Sequence, residues 1–87
     1  MIETYRNMKM IYTSNTGYAE DILHQDGIMT TLYIDKHLGK AVFTDKNDTK
    51  TVLERLESID IKEVSEAIQI TITEADGILW VFSRRKK

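Results

Sequence analysis

The sequence predicts a small α+β domain. It reads as a twisted antiparallel β-sheet of about four to six strands, with one or two helices at about 49–67 inserted before a C-terminal β-hairpin. Three observations carry this reading. Turn signals recur between segments rich in β-branched and aromatic residues. Residues 68–82 form an apolar hairpin pattern. Residues 49–59 carry an apolar stripe at helical spacing.

The turn signals are Asn-Thr-Gly (15–17), Asp-Gly (26–27), His-Leu-Gly (37–39) and Ala-Asp-Gly (75–77). Glycine and its Asn or Asp neighbours tolerate the positive φ that tight hairpins need. The segments between them predict strands near 7–14, 18–25, 28–35, 40–45, 68–74 and 78–83, with residues 1–6 either fraying or extending the first strand. In the hairpin 28–45, Leu32 and Ile34 point one way and Thr31, Tyr33 and Asp35 the other. Segment 18–25 fits a strand or a short helix equally well, since Tyr18, Ala19, Ile22 and Leu23 also match helical spacing.

Val52, Leu53, Leu56 and Ile59 predict a helix over 49–59. Asp48 offers an N-cap, and Thr51-Val-Leu-Glu54 offers a capping box. Ile61, Val64 and Ile68 continue the spacing and suggest a second short helix after Asp60.

The last hairpin is unusual. Ile68, Ile70 and Ile72 alternate with Gln69, Thr71 and Thr73, but Ile78, Leu79, Trp80, Val81 and Phe82 do not alternate at all. Such a run suggests a strand covered on both faces. In a chain of 87 residues, the second cover is expected from another molecule or from residues 1–6 or 60–67 wrapping over it. One sheet face is expected to carry Met8, Met10, Tyr12, Leu32, Ile34, Ile68, Ile70 and Ile72, under the helix stripe. The opposite face would leave some of Ile11, Tyr33, Leu79 and Val81 uncovered, which favours an interface.

The bulk composition narrows the function classes. The length fits a single domain, 1–87, with a basic C-terminal tail at 84–87. There is no cysteine, which excludes disulfides and thiolate metal sites and favours the cytoplasm. No apolar leader stands among the first residues, and the longest apolar run, Ile78 to Phe82, is far short of a membrane span. Four of the twelve basic residues are the last four. The remaining eight stand against fourteen acidic groups, so the body of the chain is acidic, at −6, and the tail is basic.

No catalytic motif stands out. Ser14, Ser58, Ser65 and Ser83 lack a nucleophile-elbow context, and the four glycines form no phosphate loop. His24 and His37, with Asp21, Asp26 and Asp35 near them in sequence, lack metal-ligand spacing and read as polar surface residues. No enzyme activity, cofactor or metal is therefore expected.

The expected function is a small cytoplasmic protein-binding or regulatory module, homodimeric or bound to another protein, acting through an apolar sheet face or strand edge. Its size and β-rich character are similar to those of small bacterial or phage accessory and inhibitor proteins. Tyr33, Leu79, Trp80 and Val81 are the expected interface residues. The alternative is a nucleic-acid-binding module that uses Arg84, Arg85, Lys86 and Lys87. No membrane association is expected.

Overall fold

The computed structural model describes residues 2–14, 22–23 and 29–86, and among these residues there is no helix. The strands are β1 (Ile2–Ser14), β2 (Ile22–Leu23), β3 (Met29–Asp35), β4 (Lys40–Asp45), β5 (Lys50–Leu53), β6 (Leu56–Glu63), β7 (Ala67–Glu74) and β8 (Leu79–Arg85). Every pairing is antiparallel. They form one sheet in the order β5-β4-β3-β1-β8-β7-β6, with β2 paired to β1 off that path. The described residues are all-β, which corrects the α+β expectation and its inserted helices.

One strand and one short corner link the two halves of the sheet. The first part of β1 pairs with β3 and its second part with β8, and Lys9 faces both Met29 and Ser83. The strands β5 and β6 lie at opposite ends of the path, yet only Glu54 and Arg55 separate them in the chain. At this corner the Leu56 amide donates to the Gly39 carbonyl at 3.3 Å, and the Ala75 amide donates to the Arg55 carbonyl at 2.9 Å. The bent β5–β6 run thus touches the start of β4 and the end of β7 together. The sheet curls round on itself, as sheets do where strands change partner through bends and bulges.

This geometry explains why the helix at 49–59 is absent. The inward residues are Leu53, Leu56, Ile59 and Ile61, which are buried or pack on the core. The corner at Glu54–Arg55 and a register shift between Leu56 and Ser58 each insert an extra residue into a period of two. The resulting intervals of three imitate one face of a helix. Arg55 has φ of 54° and Asp48 of 61°, both outside the right-handed helical region. Thr51, Val52, Ile59 and Ile61 are β-branched and suit extended backbone. The second helix fails likewise: residues through Glu63 belong to β6, and the Val64 amide donates to the Ala67 carbonyl in the turn to β7.

The strand expectations fare better. Strands appear at 29–35, 40–45, 67–74 and 79–85, and β1 takes up the residues from Ile2 onward. Within segment 18–25 the pair Ile22–Leu23 is strand. The rest of that segment, the turn signals at 15–17 and 26–27, and His24 lie outside the described residues.

The core fills the inner face. Met8, Met10, Leu32, Ile34, Ala41, Phe43, Leu53, Ile68, Ile70, Ile72 and Phe82 form one buried cluster, with Tyr5, Leu56, Ile59, Ile61 and Trp80 packed against it. Complete burial of one such large apolar side chain contributes about 1.5–3 kcal/mol. A bulge between Tyr5 and Met8 lets both face inward although they are three residues apart, and Asn7 takes up the bulge with φ of 60°. Asn accepts this region better than other non-glycine residues. Buried Thr30 donates its hydroxyl to the Thr44 carbonyl at 2.7 Å.

Short turns close the hairpins. The Asp35 carboxylate accepts the amides of His37 and Leu38, and the Asp45 carboxylate accepts those of Asn47 and Thr49. Gly77, at φ of 92°, supplies the conformation that the β7–β8 turn requires, and its amide donates to the Glu74 carbonyl.

Candidate functional site

The four expected interface residues do not form one surface. Along β8 the even positions face inward: Phe82 is fully buried and Trp80 packs on the core. The Trp80 ring lies 5.5 Å from that of Phe43, and its indole Nε1 donates to Glu74 Oε1 at 2.8 Å. Trp80 is therefore an interior residue. Leu79 and Val81 fall on the outer face and are half-buried, opposite Thr73 and Thr71 of β7. Tyr33 sits on the outer face of the other half, on β3, and is exposed.

Around Tyr33 the register builds a row that the sequence did not reveal. Thr4, Tyr33, Val42 and Val52 lie side by side across β1, β3, β4 and β5. Val52 is 54% exposed and Ile2, at the start of β1, 60%. A shallow hollow of about 540 Å³ is lined in part by Ile2, Tyr33, Val42, Asp45, Asp48 and Lys50. Val52 belongs to the apolar stripe that suggests a helix, so its outward position shows only in the strand register. Strand alternation over 50–53 was the signal that could have found it.

The basic residues are part of the sheet. Arg84 and Arg85 close β8, opposite Ile68 and Ala67, and the Lys86 amide donates to the Glu66 carbonyl at 2.8 Å. Lys87 lies outside the described residues. With Asn7, Lys9, Ile11, Met29 and Ser83, the residues Arg84, Arg85 and Lys86 line a groove of about 1060 Å³. Sequence reasoning missed Lys9, because only the β1–β8 pairing brings it beside Ser83.

A polar cluster caps the start of β1. The Tyr5 hydroxyl donates to Glu3 Oε2 at 2.6 Å, and Lys36 Nζ lies 3.6 Å from Glu3 Oε1. Burial, reinforced by the hydrogen bond to Glu3, pushes the Tyr5 phenol up to about 12. The same hydrogen bond, ahead of the nearby Lys36 charge, lowers the Glu3 carboxyl.

His37 lies in the exposed β3–β4 turn, and no group of three His, Cys, Asp or Glu side chains among the described residues could hold a metal ion. No helix among the described residues is long and apolar enough to cross a membrane. The chain matches no known protein family, no curated protein and no solved structure.

Proposed function

We propose that this protein is a non-catalytic interaction module that self-associates through the outer face of β1, β3, β4 and β5. The observation that carries this reading is the in-register row of Thr4, Tyr33, Val42 and Val52 with Ile2 beside it. The inner face of the same strands is already filled, so these outer apolar groups have no partner within the core cluster. Contiguous apolar surface of this kind favours an interface.

A second copy of the chain is the occupant we favour. Asp45, Asp48 and Lys50 give this side of the sheet both signs of charge. A two-fold contact sets a patch against itself, so it needs both signs on one rim. A standard interface takes about 800 Å² from each partner, roughly an eighth of the 5948 Å² surface. The contact would therefore extend from the apolar row onto that charged rim. The reading keeps the protein in the cytoplasm, in line with a chain free of cysteine.

Sedimentation of the native chain beside Val52→Lys and Tyr33→Ser tests this. The native chain is expected to run as a dimer whose melting midpoint rises with concentration, and both variants as folded, cooperatively melting monomers whose midpoints do not. A native monomer, or variants that dimerise as the native chain does, would end the proposal.

A further inference from the structure

The groove between the two bulges of β1 is a second surface, and it shares no residue with the Tyr33 face. We propose that it binds the phosphodiester backbone of single-stranded nucleic acid. Its rim carries Lys9, Arg84, Arg85 and Lys86, and among the described residues no carboxylate lines it. On a chain of net charge −2, this gathering of four cations is a local reversal of sign.

The fold assembles these charges. Lys9 is in register with Ser83 on β8, and Arg85 follows two positions along the same outer face. That places successive cations about 7 Å apart along the strand direction. Lys9 and Arg85 make no ion pair among the described residues, and Lys86 Nζ reaches Glu63 only at 3.9 Å. Asn7 and Ser83 add neutral hydrogen-bonding groups.

Arg84 is held at the groove at a cost. Its Nη1 donates to the Arg6 carbonyl at 3.0 Å, while its buried Nε has no partner among the described residues. An orphaned buried donor is uncommon in a native fold and calls for a reason beyond stability. Presenting the guanidinium to an anion supplies one.

The groove's shape and lining select among anions. It is concave, so it fits a strand and not the plane of a lipid surface, which would also meet the acidic remainder of the chain. Ile11 and Met29 lie among the cations. They offer apolar contact to unstacked bases, whose faces a duplex keeps covered.

The test is binding of a labelled oligothymidylate to the full chain by fluorescence anisotropy, with a salt titration. If all four cations neutralise phosphates, affinity should fall roughly 50-fold between about 50 and 200 mM salt. The variant Lys9→Gln/Arg85→Gln should bind more weakly, and its loss over the same range should shrink to roughly 7-fold. Its melting midpoint and its association through the Tyr33 face should stay unchanged. Equal binding by the variant, or binding indifferent to salt, would overturn the proposal. So would equal binding of the matching duplex, binding of phosphatidylserine vesicles in place of the oligonucleotide, or full competition by millimolar inorganic phosphate.

Discussion

Phe43 meets Trp80 ring to ring at 5.5 Å and an interplanar angle of 56°, although β3 and β1 separate their strands in the sheet. Phe82 joins them, with its ring centre 5.3 Å from that of Phe43. Such tilted and edge-on pairs are favourable beyond the area they bury. Side chains so far apart along the sheet touch only because it has curled round a common interior. These three rings are the contact by which one half of the sheet grips the other.

Removing the shared ring should therefore weaken both halves together. Phe43→Ala is expected to cost about 3–5 kcal/mol. Trp80 is the only tryptophan, so its emission reports the interior directly. Urea unfolding followed by that emission should show one transition at lower midpoint, with native emission shifted to the red. A loss of under about 1 kcal/mol, typical of an exposed site, would contradict the packing described.

The corner offers a test of strand against helix. Arg55 is exposed and holds φ of 54°. A left-handed conformation costs an L-residue roughly 1–2 kcal/mol that glycine does not incur, offset by about 0.5–1 kcal/mol of glycine's extra unfolded entropy. Arg55→Gly should thus leave stability unchanged or raise it by up to about 1.5 kcal/mol, while Arg55→Val should lower it. In a helix interior the glycine variant would instead lose about 1 kcal/mol. Thermal melts of the two variants separate the cases.

Tyr5 gives stability a high-pH limit. Its phenol is raised from 10.0 to about 12, so the folded state favours the neutral form. Its contribution is complete below the unfolded value and is lost as pH rises from about 10 through about 12. Glu3 has the opposite sign: its pKa is lowered from 4.5, so its contribution is present above that value and is lost as pH falls through the lowered one. Tyr5→Phe should flatten the alkaline fall in melting midpoint and remove one late phenolate absorbance step. An unchanged alkaline limb in the variant would show that the hydroxyl does not sense the fold.

The parts of this fold that are legible in the sequence are those where alternation runs uninterrupted. Leu32 and Ile34, and Ile68, Ile70 and Ile72, declare an inner face two residues at a time, and all five are buried. Met8 and Met10 also fall inside as their spacing suggests. Legibility fails wherever one residue is inserted. The corner at Arg55 and the bulge beside Glu57 turn a strand rhythm into a helical one, and the capping residues nearby add a false start. Local propensity was outweighed there by pairing with β4 and β7, partners far away in sequence.

The candidate surfaces were less legible than the fold. Tyr33 was singled out and does lie outside, but Ile2, Val42 and Val52 join it only through register. Trp80 stands with Leu79 and Val81 among the expected interface residues because the run Ile78 to Phe82 gives no parity of its own, which leaves open whether Leu79 or Trp80 is the exposed one. The inward isoleucines of β7 settle that parity, since Ile72 faces Trp80 and Ile70 faces Phe82. The basic residues 84–86 read as a loose tail, whereas pairing with β7 gives Arg84 and Arg85 fixed positions.

The central place of β1 also sets a timetable. Its partner β3 follows soon after it, but β8 is the last strand in the chain. A ribosome must release the chain through β8 before Met10 can meet Phe82. Until then the second half of β1 has an edge open to any other strand in the cell. Sequence-distant pairing of this kind puts folding in the millisecond-to-second range of β-rich proteins. The hazard to this protein is greatest in the interval between its first hairpin and its last.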